Sequence, residues 1–465
     1  MVKELLKRQL FEDIVSARFF INLVLIVSSI AIFALVFIGH YQTLGARYSK
    51  NTIENDRKLA ESSKEIVGLL STPLEFVMKP RIFRFIADGY ENKIPQGFSF
   101  IPKGYTFVIG ETKNPPKAGS SNSSAFYAAD LTFAVQFLLS FFAILLTYNA
   151  LSSEKEKGTL RLVLSNPVKR AGVVLAKYLS ALATILLPLF AGLIVGLIFL
   201  YLSSAVLISS AFILGLFMFF VVSLLYISVF ILIGLLFSAL SHSSKNSLVL
   251  GLLVWTFLVV IFPKSSGLFL ILKRFDVPTA QEIEELADRA EREIWDRYSH
   301  EDLMTRGGQD ESTKLNAKVG LETQKARQGV YDLYLRKKIS AVETLRKLNF
   351  LSPASLFGYS ASSIAGTGIF HFQKLWEQVK QYRNQYLEFF KAEDGKDPES
   401  FHVYFHPDYL SRKPVDFNKI PKFEEKEIGA GERIREVLPY ILLLILYNLL
   451  LFVLVFYKFQ ECDVR

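Results

Sequence analysis

Charge-free apolar runs set the expected architecture of this chain. A charged side chain at a bilayer centre costs roughly 2.5–3.5 kcal/mol, so stretches without Asp, Glu, Lys or Arg mark segments fit to cross hydrocarbon. The first such run is Phe19 to Gly39 and the second is Leu131 to Leu151. The third, from Tyr178 to Ser244, would be about 100 Å long as one helix at 1.5 Å per residue, far more than one crossing. It must fold back, and the small polar cluster YLSSAVLISS (Tyr201 to Ser210) is the natural turn. Two further runs, Asn246 to Pro263 and Val437 to Tyr457, complete the set. The pattern predicts an α-helical polytopic membrane protein with six transmembrane helices, at 19–39, 131–151, 178–202, 211–240, 246–263 and 437–457.

Two polar stretches are too long to be simple connections. The first, 40–130, lies between spans one and two and reads as mixed. A polar helical start (NTIENDRKLAESSKEIVGLL) gives way to FSFIPKGYTFVIGE, rich in the aromatic and β-branched residues of strands. The second, 264–436, lies between spans five and six and reads as mostly helical. Ile283, Leu286, Ala290, Ile294 and Tyr298 repeat at helical spacing, and RGGQDEST interrupts them before a second run to about Lys347. That pair predicts an antiparallel helical hairpin. A later helix carries Phe372, Leu375, Trp376, Val379, Tyr382, Tyr386 and Phe390, a stripe expected to be core. Ahead of the first span, Leu5, Leu6, Leu10, Ile14 and Val15 approximate one apolar helical face, so 1–18 is expected to lie on the membrane surface. It is too long and too mixed in charge for the basic leader of a cleavable signal.

Charge gives orientation. Lys3, Lys7, Arg8 and Arg18 precede span one; Lys155, Lys157, Arg161, Lys169, Arg170 and Lys177 separate spans two and three; Lys245 separates spans four and five; Lys458 and Arg465 follow span six. Six crossings bring all of them to one side, which predicts an inner (cytoplasmic) membrane protein with both termini, including the tail 458–465, in the cytoplasm. The net charge of +9 is therefore read as flanking charge, and with no groove-reading motif it does not point to nucleic acid. One cysteine, Cys462, excludes an intrachain disulfide. No G-x-x-x-x-G-K-[ST] is present, so a phosphate-cradling loop is not expected in this chain. His402 and His406 sit four apart near Asp408 in HVYFHPD, a weak metal candidate that Pro407 and the β-leaning VYF count against. The third and fourth spans carry no ionisable acid or base for a proton relay, so energy is expected from elsewhere.

One charged stretch interrupts the apolar pattern where a short loop would suffice. In SSEKEKGTLRLVLSNPVKR, Glu154, Lys155, Glu156 and Lys157 lead the chain away from the membrane. Gly158 relieves the backbone and Thr159 is suited to capping a helix start. Leu160 to Ser165 then makes one or two turns, about 9 Å, with Leu160, Val163 and Leu164 on one side. Asn166 and Pro167 end it and start the next helix. Such a short amphipathic helix suits docking in a groove of another protein, although an ordinary structured loop has the same composition.

EKEKGTLRLVLSNPVKR resembles the coupling loop of ABC-2 type permeases. The resemblance is nearest to the subgroup with large extracytoplasmic insertions, which includes the permeases serving nitrous oxide reductase copper-site assembly and gliding motility. FVMKPRIFRFIADGYENKIP, LSPASLFGYSASSIAGTGIFHFQKLWEQVKQYR and KIPKFEEKE extend it over nearly the whole chain, while Ala176 stands where the family often has glycine. The resemblance implies that 152–177 is a cytoplasmic coupling loop, with Glu154, Glu156, Gly158, Thr159, Leu160, Ser165, Pro167 and Arg170 in the transmission element. Arg170 and Glu154 would make charged contacts with the partner. It further implies no catalysis and no cofactor in this chain. A separate ABC ATPase subunit would bind ATP and Mg, and the permease would pair as a homodimer or heterodimer. Two uses of the motion follow: export or extrusion of a lipid, peptide or other amphiphile, or mechanotransmission to the outer domain and a periplasmic or surface partner.

Overall fold

The structure is a computed structural model that describes residues 2–77, 79–87, 97–101, 106–108, 130–160, 169–203, 208–263, 280–298, 309–402 and 409–461. Helix α1 (Val2–Val15) ends where Ser16 adopts an extended conformation and caps α2 (Ala17–Ser62) by accepting from the Phe19 amide. After α3 (Ile66–Ser71), helix α4 occupies 131–147 and a short α5 spans Ser152–Glu156. Helices α6 (Arg170–Leu202), α7 (Ser210–Leu240) and α8 (Ser244–Ile261) follow. The long insertion contributes α9 (Ala280–Trp295), α10 (Gln309–Leu348), α11 (Pro353–Ala365) and α12 (Ile369–Asp394), and α13 (Ala430–Gln460) closes the chain. Six of these helices, α2, α4, α6, α7, α8 and α13, are long and apolar enough to cross a membrane, which agrees with the six expected spans. One face of the bundle holds α1 and the end of α13 and is called proximal here; the distal face carries the two insertions.

The first span does not stop at the membrane. Helix α2 has 46 residues, about 69 Å, and the hydrocarbon needs only about 20 of them. Its distal end forms a wall of the outer domain: Asn55 brackets the backbone of Glu75, donating to its carbonyl at 2.6 Å and accepting from its amide at 3.3 Å. Glu75 belongs to β1 (Leu74–Val77), the edge of an antiparallel sheet with β2 (Gly97–Ile101) and β3 (Thr106–Val108), within the segment read as mixed. The stripe on α12 is core, as expected: Phe372, Leu375, Trp376, Val379, Tyr382, Tyr386 and Phe390 are buried with Leu59, Ile66, Leu69 and Leu74. Helices α9 and α10 pair as a hairpin, stapled by Arg327, whose guanidinium reaches Glu284 (2.6 Å), Asp288 (2.7 Å) and Glu291 (2.8 Å).

Helix α11 lies where the sequence reading did not put it. Within 264–436, the stretch expected to stand wholly outside, PASLFGYSASSIA is buried residue by residue among the spans. Phe357 stacks on Tyr226 of α7 with centroids 4.6 Å apart, and Tyr226 lies 16 residues from the helix start Ser210, about 24 Å inward. At the turn before α11, Tyr447 of α13 donates to the Leu351 carbonyl at 3.0 Å. The helix is too short to span and so reads as soluble, but its Ala, Ser and Gly residues admit close helix packing. Ser360 and Ser362 hydroxyls turn back onto the carbonyls of Leu356 and Tyr359, so they need no partner in the core.

Two π-helical turns flank this inserted helix, at Ala134–Leu139 in α4 and Thr256–Ile261 in α8. A π turn displaces carbonyls from their usual donors. Here side-chain hydroxyls take them: Tyr226 donates to Gln136 O at 2.9 Å, and Ser352, at the start of α11, donates to Leu258 O at 2.7 Å.

The outer domain is joined to the spans by a buried ion cluster. Arg81, Glu425 and His371 meet there, with His371 Nδ1 3.2 Å from Arg81 and Nε2 3.3 Å from Glu425, all side chains nearly buried. Burial lowers the His371 pKa against the opposing pull of Glu425, and the nearby Arg81 and Arg433 push it the same way as burial. For Glu425, burial pushes up but His371 and Arg81 pull down further, leaving it lowered. Both folded values lie below the unfolded ones, so each contributes stability that is present above its unfolded pKa and lost as pH falls through the folded one. The junction is therefore expected to loosen on acidification below about pH 6.5, the ordinary histidine value. Hydrogen-exchange protection of 369–394, taken relative to the intrinsic amide rate at pH 7.5 and 5.5, checks this, and His371→Gln should flatten the difference; equal protection at both pH values in the parent refutes it.

Candidate functional site: the proximal bracket

The charged stretch after α4 is tied into the bundle at several points. The amides of Leu151 and Ser152 donate to Ser238 Oγ at 2.8 and 3.0 Å, and Lys155 Nζ reaches the Ala239 carbonyl. The Glu156 carboxylate accepts from the amide (2.9 Å) and hydroxyl (2.7 Å) of Ser244, capping the N-terminus of α8. An anion belongs there, because the first amides of a helix lack partners and present partial positive charge. These contacts make α5 a bracket across the α7–α8 turn.

Gly158 follows with φ of +67°, a left-handed conformation that glycine adopts without strain. Its amide donates to Lys155 O at 3.1 Å, ending α5, and no atom lies within 4 Å of where a Cβ would stand. Thr159 was expected to cap the next helix from outside. Instead it lies within a helical turn, and its hydroxyl faces back to the Glu154 carbonyl at 3.4 Å. Leu160 is buried at 3% exposure, so the apolar side of the short helix begins by packing on its own protein. Ser165 and Pro167 lie outside the described residues.

The charges expected to meet a partner are engaged within the chain. Glu154 Oε1 pairs with Lys177 Nζ at 2.7 Å, and the Lys177 side chain is only 4% exposed. Asp13 of α1 approaches the same ammonium and accepts from Ser180 Oγ at 2.6 Å. Burial raises the Asp13 pKa, opposed by bonds from Ser180 and Gln9 and by Lys177. Arg170 donates to the carbonyls of Phe459 (3.0 Å) and Gln460 (2.8 Å), a cation on the C-terminus of α13. Arg18 closes α4 similarly, reaching Leu145 O at 3.2 Å and the Tyr148 hydroxyl at 3.1 Å.

Between α1, the end of α4 and this bracket opens a cleft of about 940 Å³. Arg8, Arg18, Lys157 and Lys177 share its walls with Glu12, Asp13 and Glu154, and Leu5 and Leu146 supply apolar surface. The lining is amphipathic and carries no catalytic constellation. On the distal side, His402 Nδ1 lies 2.8 Å from buried Asp394, which also accepts from Ser400 and the Ser411 amide; that arrangement closes a loop. His406 lies outside the described residues, and among those described no group of three or more His, Cys, Asp or Glu is placed to hold a metal.

Of the sequence candidates, Glu154, Glu156, Gly158, Thr159 and Leu160 gather at the bracket, whereas Arg170 sits apart at the end of α13. Sequence reasoning missed Asp13, Lys177, Ser238 and Ser244. Lys177 carried a signal, as the last charge before the charge-free block. Ser238 and Ser244 carried a weaker one, in the serine-rich SALSHSSK at a helix–helix turn.

No curated protein matches this sequence. Residues 6–464, nearly the whole chain, match the family described as ABC-2 family transporter protein. With six apolar helices in one multi-pass bundle and a charged bracket linking them, the chain belongs to the ABC-2 transporter family as a membrane-spanning permease subunit of an ABC transporter.

Proposed function

We propose that a separate ABC ATPase drives this permease through the loop 152–177 on the proximal, cytoplasmic face of the inner membrane, and that the motion is delivered to the outer domain. The bracket carries the first half of this reading. Force on the loop would reach α7 and α8 through Lys155 and Glu156, α1 and α6 through Glu154 and Lys177, and α13 through Arg170. Helix α2 supports the second half, since one unbroken rod runs from the proximal face into the outer core. ATP and Mg would sit on the partner, and a dimeric permease would engage two ATPase copies. Export of a lipid, peptide or other amphiphile is the second reading. The amphipathic cleft favours it, with cations beside apolar surface as a charged-headed amphiphile would need.

The test is the complex purified with its ATPase in mild detergent. Gly158→Pro demands φ near −65° in place of +67° and removes the amide that ends α5. Insertion should be unchanged while stimulation of the ATPase falls about tenfold or more. Normal stimulation in that variant refutes the coupling assignment. Cross-linking the distal end of α2 to α12 then separates the two readings. Loss of turnover with the cleft open favours mechanotransmission; transport that persists favours export.

A further inference from the structure

Helices α2 and α6 run in the same direction from the proximal face and touch closely. A Cβ on Gly192 would lie 2.6 Å from Ile30 Cδ1, and one on Gly196 would lie 3.1 Å from Ile30 Cγ2. Asn22 lies eight residues before Ile30, and Thr184 lies eight before Gly192. With equal rise per residue the two stand at the same level. Asn22, Ile26, Ile30 and Ala34 recur every four residues and are fully buried, as are Thr184 and Pro188 opposite. Asn22 and Thr184 therefore lie buried at one level of two helices in contact.

The polar groups at this level have no protein partner. Neither Asn22 Nδ2 nor Oδ1 makes a hydrogen bond, nor does Thr184 Oγ1, and each of these atoms is inaccessible. Pro188 adds a fourth group: it has no N–H, so the Thr184 carbonyl lacks its intrahelical donor. A buried unsatisfied polar group costs about 1–3 kcal/mol, and several at one level are not tolerated without a ligand. The set mixes donors (the Asn22 amide and the Thr184 hydroxyl) with acceptors (Asn22 Oδ1 and the Thr184 carbonyl). A cation would meet the amide hydrogens and, two turns below, the ammonium of Lys177. Water satisfies both kinds of group, typically with about three bonds.

We infer that Asn22, Thr184 and Pro188 form a buried water site between α2 and α6, and that this site is a hydrated hinge in α6. The proximal cleft supplies it. The cleft wall includes Lys177 and Ala181, and Ala181 is one turn below Thr184 on α6. The half of α6 below the hinge carries Lys177, which fastens the bracket to this helix, and Arg170, which fastens the helix to the end of α13. Water-mediated bonds at Pro188 let that half tilt without breaking a protein–protein hydrogen bond.

The test is a double-mutant cycle on the full chain in detergent, read as thermal unfolding, with Asn22→Leu, Thr184→Val and the pair. A shared water predicts that each single change lowers Tm by about 2–4 °C, and that the pair loses clearly less than the sum, because the second change removes groups the first has already orphaned. Thr184→Ser keeps the hydroxyl and should stay at the parent value, which decides the question should Asn22→Leu fail to insert. A dry site predicts the opposite sign, since removing an orphaned polar group from an apolar interface raises Tm. A rise in either single variant, or additive losses, overturns the inference. None of these outcomes depends on an ATPase, so the result stands apart from the coupling reading.

Discussion

Lys177→Met should destabilise the permease by about 2–4 kcal/mol, somewhat under the roughly 3–5 kcal/mol for breaking a fully buried ion pair because the Glu154 side chain is 25% exposed. The Lys177 side chain is 4% exposed, its ammonium pairs with Glu154 at 2.7 Å, and its charge also acts on Asp13 of α1. Methionine keeps the length and the apolar stem, so packing changes little and the loss is electrostatic. Both acids are left without their counter-charge, and Asp13 is already pushed toward its neutral form by burial. Two consequences separate this from a cavity effect. Adding Glu154→Gln to Lys177→Met should recover part of the loss, because a neutral amide replaces an uncompensated carboxylate. The singly substituted protein should also gain relative stability as pH falls and Asp13, whose pKa burial raises, takes up a proton. Thermal unfolding in detergent at pH 7.5 and 5.5 measures both. An unchanged Tm in Lys177→Met would show that the pair does not hold α1 to the bracket.

Gly234→Ala should be of similar size, by a different cause. A Cβ there would stand 1.9 Å from Thr147 Oγ1, 3.0 Å from Thr147 Cβ and 3.7 Å from the Ile144 Cα. The hydroxyl cannot easily swing away, because it donates to the Ala143 carbonyl at 2.6 Å inside a buried interface. Helices α4 and α7 must then separate, at about 1–3 kcal/mol for one methyl group forced into a packed core. The displacement falls one turn from the bracket, since Ser238, four residues on from Gly234 in α7, accepts from the Leu151 and Ser152 amides. ATPase stimulation should fall with stability. Thr147→Ala removes the closest atom and should restore most of the loss when combined with Gly234→Ala. If the combination is as unstable as the single change, the contact between the two helices is not where the strain arises.

The six spans needed no tertiary information, because the hydrocarbon penalty on a charge acts on each residue alone. The runs at 19–39, 131–151 and 437–457 could be read directly, and the turn in the 178–244 block followed from length. The hairpin of α9 and α10 and the buried stripe on α12 were also visible, as periodicity. Helix α11 was not. Its serines and glycine read as a surface segment until the Ser360 and Ser362 hydroxyls are seen turned onto their own backbone and Phe357 against Tyr226. The unbroken length of α2 was hidden for a related reason: no proline lies between Gly39 and Ser62, but the change in polarity there reads as an end.

The candidate site divides in the same way. The sequence by itself determined that a charged, glycine-broken segment would stand at 152–177 between two apolar helices, and that Gly158 would be a point of backbone freedom. Only the tertiary structure decided what that segment holds. Glu156 meets Ser244 across 88 positions, Arg170 meets the end of α13 across 289, and Lys177 gathers Glu154 and Asp13 from two other elements. Exclusion from hydrocarbon is a property of one residue and leaves its mark in composition. The pairing of charges is a property of two residues, fixed by which helices pack together, and nothing in either local stretch encodes it.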